Sequence, residues 1–135
     1  MSNSKPYGFT TTILHNDRQK SIEHGSPHKP VHTSVTYGYA DARDLAEVFQ
    51  GKQSGYRYGR QGNPTVSALE DKITKMEEGY GTICFATGMA AIGAVFQGLL
   101  RKGDHIVSSG FLSGNTNSVW QPCADQGLEL SLVDA

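Results

Sequence analysis

Two tyrosines and two arginines fall within five residues at the start of "YRYGRQGNPT", Tyr56 to Thr65. A guanidinium bonds two oxygens of a phosphate or carboxylate at once, and a phenol beside it adds another donor. On an extended backbone, side chains two apart point the same way. Tyr56, Tyr58 and Arg60 then share one face, and Arg57 and Gln61 take the other. The strip reads as an anion grip or, equally, as a surface strand with one exposed aromatic and a solvated charge. A second candidate is "ATGMAA", where Thr87, Gly88 and Met89 stand at the turn from an apolar run into an apolar helix. The first amides of a helix lack intrahelical partners, and the helix dipole adds positive potential there. Gly88 either lets a ligand approach the backbone closely or serves only the tight turn. This motif is not a GxGxxG and no phosphate-loop lysine follows it, so a dinucleotide or P-loop site has little support. What stands out is the pair: two grips in one chain, each suited to a phosphate.

The elements that must carry these residues follow from local pattern. Pro64 suits the first turn of a helix with Asn63 as its cap. Val66, Leu69, Ile73 and Met76 recur at helical spacing until Gly79. "TICFA" is a short apolar run expected to be a buried strand, and "TGMAAIGAVFQGLL" a helix apolar nearly all round, buried on more than one side and closed by Gly103. "HIVSS" and "LELSLV" read as further strands, separated by a loop "GFLSGNTN" and a weak helix near Trp120. Strands alternating with helices argue for α/β architecture with a parallel sheet. Ahead of them lies "LHNDRQKSIEHGSPHKPVHTSVTYGY", too polar to form a core of its own and either disordered or an arm laid on another surface. "ADARDLAEVFQGK" follows as a short helix, capped by Asp41 and stopped at Gly51.

Composition bounds the rest. With 13 acidic and 12 basic residues the net charge is −1, so neither nucleic acid nor an anionic membrane is an expected partner. Cys84 and Cys123 form no metal-like cluster with the five histidines and read as free thiols in a reducing compartment, one of them in the core. The N-terminus has no apolar signal region. The most apolar stretch is broken by Thr, Gly and Gln, so a membrane span is not expected. These features make the expectation a cytoplasmic globular protein, and 135 residues are enough for one domain with a core.

Together and in order, "KPVHTSVTYGY", "YRYGRQGNPT", "FATGMAA" and "GDHIVSS" with the following "GNT" resemble the N-terminal region of the Cys/Met-metabolism pyridoxal-phosphate enzymes. That family includes cystathionine γ-synthase, cystathionine γ-lyase, O-acylhomoserine sulfhydrylases and methionine γ-lyase. The resemblance implies a fold-type-I, aminotransferase-like large domain, of which this chain holds the first βαβ part. Residues 1–62 would form an arm serving the neighbouring subunit's site, and residues 63–135 the start of the cofactor-binding domain. The implied cofactor is pyridoxal 5′-phosphate. Its phosphate would be clamped by Tyr58 and Arg60 of a neighbouring subunit and by the Gly88 and Met89 amides of its own. A homo-oligomer, a dimer of dimers, follows from the same resemblance.

Two departures stand against the family pattern. Where members place a Tyr or Phe that stacks on the pyridine ring, this chain has Ser113, in "FLSGNT". Members also carry a Schiff-base lysine, an aspartate on the pyridinium nitrogen and a substrate-carboxylate arginine further along, and this sequence ends at "SLVDA" before them. Lys72, Lys75 and Lys102 stand in the wrong contexts to substitute. The chain alone is therefore expected to be inactive, with no catalytic side chain assigned. The implied reaction is γ-replacement on an O-acylhomoserine with cysteine or sulfide. Asn115 favours this over methionine γ-lyase, whose members tend to carry cysteine there. The alternatives are elimination, as in the γ-lyases, and a non-catalytic fragment that keeps part of the phosphate site.

Overall fold

The computed structural model describes residues 7–15 and 23–134. The remaining arm residues, about which the sequence reading anticipated polar, coreless chain, lie outside the described residues. The elements are α1 (Phe9–His15), a 3-10 turn (Glu23–Gly25), α2 (Ala42–Phe49), α3 (Pro64–Met76), α4 (Gly88–Leu99), β1 (His105–Ser109), α5 (Gly114–Asn117), α6 (Trp120–Asp125) and β2 (Glu129–Val133). Contacts group them into two compact units, Met1–Cys84 and Phe85–Ala135.

In the first unit, caps set the helix starts. The Asp41 carboxylate accepts from the Arg43 amide at 2.8 Å, and the Arg43 guanidinium beside it holds that carboxyl below the usual carboxylate range. Gly51, at φ 70°, turns the chain after α2. Asn63 caps α3 by accepting from the Thr65 amide at 2.8 Å, with Pro64 at the first helical position. The sequence reading ends α3 at Gly79. In the structure the helix closes at Met76, and Glu78 takes the left-handed conformation at φ 51°.

The arm contains more structure than its polarity suggests. Helix α1 packs against α3. The His32 amide donates to Thr65 Oγ1 at 2.8 Å, and Asn63 Nδ2 donates to the His32 carbonyl at 3.0 Å and to Tyr37 Oη at 3.1 Å. One asparagine thus caps a helix with its oxygen and ties down the arm with its nitrogen. These bonds tie α3 to the arm within the unit Met1–Cys84.

In the second unit, β1 and β2 pair in parallel, with His105 opposite Glu129 and Ser109 opposite Val133. The connection from α4 turns at Gly103, φ 91°, whose amide donates to the Gly127 carbonyl at 2.8 Å. Trp120 and Cys123 of α6 are buried, and Phe96 of α4 meets Trp120 with ring centroids 5.2 Å apart. Cys123 is the core thiol, and Cys84 is half-buried.

Three expectations are corrected. "TICFA" forms no strand, and Ile83 is 76% exposed. A strand exists only through a neighbour's hydrogen bonds, and the Cys84 amide goes instead to Glu70 Oε1 at 2.9 Å. Helix α4 is not buried on several sides: none of its residues is buried, and Leu99 is 75% exposed. The loop "GFLSGNTN" contains a helical turn, α5. The core is small: Val48, Trp120 and Cys123 are the buried apolar residues among those described.

Candidate functional site

In the first unit the strip divides its two arginines sharply. Tyr58 pairs with Thr36 in an isolated antiparallel bridge, and the Gly59 amide donates to the Val35 carbonyl at 2.7 Å. The chain then turns, with the Gln61 and Gly62 amides donating to the Tyr58 carbonyl at 2.9 and 3.1 Å. That turn, rather than an extended backbone, brings Arg60 over the Tyr58 ring, its guanidinium carbon 4.8 Å from the centroid. Arg60 is exposed, and among the described residues no hydrogen bond or ion pair engages its guanidinium. Its five donors remain available.

Arg57 is committed elsewhere. Its Nε donates to Gln61 Oε1 at 2.6 Å, its Nη1 to the Val48 carbonyl at 2.7 Å, and its guanidinium lies 4.7 Å from the Phe49 ring centroid. The Val48 carbonyl belongs to the last turn of α2, where a cation complements the helix dipole. Arg57 and Gln61 share a side, brought together by the turn at 59–61 rather than by alternation along an extended strip. Tyr56 departs from its predicted face: its ring tilts against Tyr37 at 5.6 Å, and its carbonyl accepts from Tyr39 Oη at 2.9 Å. Gly55 permits this, because a Cβ there would run into Tyr39 Oη and Val48 Cγ2. Tyr37 and Asn63 hold the strip in place, and sequence reasoning assigned Asn63 only its capping oxygen. The doublet of tyrosines in "TYGY" was the available signal for Tyr37.

In the second unit, Thr87 caps α4, its Oγ1 accepting from the Ala90 amide at 3.1 Å. The Ala91 amide goes to the Thr87 carbonyl at 3.2 Å. Gly88 and Met89 keep amides without acceptors among the described residues, and nothing stands within 4 Å of where a Gly88 Cβ would be. An anion can therefore reach both amides. Ser113 precedes α5, which contacts α4. It is exposed, its Oγ lies 3.2 Å from Thr116 Oγ1, and it makes no capping bond to α5. Phe111, two residues earlier, is exposed as well.

The donors at both places are thus open, cationic or polarised, and sterically accessible, which fits a phosphate-bearing group. Among the described residues no cluster of three or more His, Cys, Asp or Glu side chains is arranged to hold a metal ion. No described helix is long and apolar enough to cross a membrane.

Comparison with known proteins gives a consistent picture. Residues 10–135 match the family described as Cys/Met metabolism PLP-dependent enzyme. An L-methionine γ-lyase of Fusobacterium nucleatum is 33% identical over 132 residues, covering 97% of this chain and 33% of the relative. The O-acetyl-L-homoserine sulfhydrylase of Corynebacterium glutamicum is 30% identical over 134 residues, covering 98% of this chain and 31% of the relative. The crystal structure of metB from the same organism superposes with a TM-score of 0.82 at 31% identity, covering 95% of this chain and 32% of that one. The chain spans about a third of the length of the curated relatives it matches.

Proposed function

Because the chain belongs to the Cys/Met-metabolism PLP-dependent enzymes, we propose that it supplies the phosphate-gripping part of an enzyme performing γ-replacement on an O-acylhomoserine. Cysteine or sulfide would be the incoming nucleophile, giving cystathionine or homocysteine. The fold is part of a fold-type-I pyridoxal-phosphate enzyme, and the family's cofactor is pyridoxal 5′-phosphate.

The carrying observation is the asymmetry of the strip: Arg57 is spent on α2 while Arg60 is held over Tyr58 with its donors open. When bound, the cofactor acts as the electron sink for the substrate's carbanion chemistry. This chain's contribution is to seat it. The Gly88 and Met89 amides would hold its phosphate at the positive end of α4, which Thr87 caps. Arg60 and the Tyr58 hydroxyl would close over a phosphate held by a second copy, in a homo-oligomer.

Similarity to methionine γ-lyase supports the competing reading, elimination. Asn115, exposed on α5 where those lyases tend to carry cysteine, favours replacement. The test is an enzyme in which these 135 residues are joined to the family's lysine-bearing remainder. With O-acetylhomoserine and sulfide it should form homocysteine faster than it releases methanethiol from methionine, and the reverse order would reject replacement. The 135 residues alone should turn over neither substrate.

Ser113 yields a separate expectation in the same joined enzyme. A stacked aromatic ring contributes about 1 kcal/mol beyond its burial. Ser113→Tyr should therefore tighten pyridoxal-phosphate binding by roughly tenfold or less, read by titrating the apo-enzyme. Unchanged affinity would mean that this ring face is already covered, with exposed Phe111 the first side chain to test.

A further inference from the structure

We propose that the groove between α4 and α6 is a binding site for a small amphiphilic carboxylate, an apolar body with one anionic head. The site lies wholly within the second unit and does not depend on the phosphate reading above. Gly93, Phe96 and Gln97 of α4, with its C-cap Leu100, line one side at the spacing of one helix face. Pro122 and Cys123 of α6, with its caps Val119 and Gln126, line the other side at the same spacing. Two helix faces thus confront each other across a cavity of about 260 Å³. That lies just below the range of roughly 300–1,000 Å³ typical of small-molecule pockets, which limits the occupant to a short acyl or single-ring acid.

Gly93 adds no side chain to the groove. Nothing stands within 4 Å of where a Gly93 Cβ would be. The walls are Phe96, Leu100 and Val119, with Leu128 closing the groove, while Gln97 and Gln126 offer amide groups. Arg101 and Lys102, in the turn leaving α4, add two cations to the lining. Arg101 Nη1 donates to the Leu100 carbonyl at 2.8 Å, and the Lys102 stem packs on Gly127, where a Cβ would stand 2.9 Å from Lys102 Cγ. Neither cation forms an ion pair among the described residues. The neighbouring acid, Asp104, is engaged with the Arg101 backbone amide at 2.6 Å.

Charge complementarity chooses the occupant. A bare anion would leave the apolar walls wet, and a neutral apolar molecule would gain nothing from the two exposed cations at the rim. A molecule with both parts satisfies both, its acyl or ring portion displacing water from Phe96, Leu100 and Leu128 while the carboxylate meets Lys102 and Arg101.

The experiment titrates the whole chain with octanoate, octan-1-ol and sulfate, following backbone amide shifts by NMR. Octanoate should produce saturable shifts confined to α4, α6 and the turn between α4 and β1, and bind about tenfold more tightly than either single-property probe. Lys102→Gln should weaken octanoate about fivefold and leave octanol unchanged. Gly93→Leu should fill the groove and remove octanoate binding with the circular dichroism unaltered. If Gly93→Leu fails to fold, Lys102→Gln and the octanol comparison decide the matter. Octanol binding as tightly as octanoate, sulfate doing so, or the absence of saturable shifts would each overturn the proposal.

Discussion

Arg60→Ala should weaken pyridoxal-phosphate binding by roughly ten- to a hundredfold in an enzyme carrying the family's lysine region, while leaving the first unit folded. A hydrogen bond to a charged group contributes about 1.5–3 kcal/mol, so a loss of roughly ten- to hundredfold corresponds to one such bond to the phosphate. The fold should be spared because the side chain is exposed and its guanidinium makes no hydrogen bond or ion pair among the described residues. Tyr58→Phe, which keeps that ring and removes the hydroxyl, should cost less. Mixing Arg60→Ala with a copy defective in its own phosphate site would tell whose phosphate is gripped. If the clamp acts across copies, affinity is lost in the subunit facing the changed arm. Loss confined to the subunit that carries the change would reject a clamp between copies, and an unchanged affinity would reject the clamp itself.

Arg57→Ala should do the opposite. It removes two hydrogen bonds, at 2.6 Å to Gln61 and 2.7 Å to Val48, together with the contact over Phe49. The Val48 carbonyl closes α2 and Val48 is 4% exposed, so this bond lies in a poorly hydrated place. The cost should be about 2–3 kcal/mol of local stability. That corresponds to roughly 30- to 100-fold faster amide hydrogen exchange in α2 if exchange there proceeds by local opening. Phosphate affinity should fall far less than in Arg60→Ala. Should Arg57→Ala abolish phosphate binding while α2 exchange stays slow, the roles given to the two arginines are reversed.

The contrast shows how far residue type alone carries. Two arginines three positions apart are chemically identical, and only the surroundings of the folded chain separate a helix-capping cation from an available one. Arg57 is used up because α2 ends beside it, and Gly55 lets Tyr39 and Val48 approach the strip closely. Arg60 is spared because the chain turns at Gly59 and stacks it on its own neighbour's ring.

What the amino-acid sequence by itself determined was governed by short range. Asp41 and Asn63 cap their helices as expected, and Thr87 caps α4 in the same way, because a capping oxygen needs only an amide two or three residues on. "HIVSS" and the "ELSLV" portion of "LELSLV" pair as parallel strands, and the ordered motifs were sufficient to indicate the family. What only the tertiary structure decided depended on partners distant in the chain. "TICFA" has strand composition but no ladder, since strand pairing is supplied by a neighbour and the Cys84 amide is taken by Glu70. The polar arm gained order through Thr65 and Asn63, more than 30 residues away, which composition cannot register. The groove at Gly93 was invisible for the same reason: each helix face is ordinary on its own, and the space between them belongs to neither.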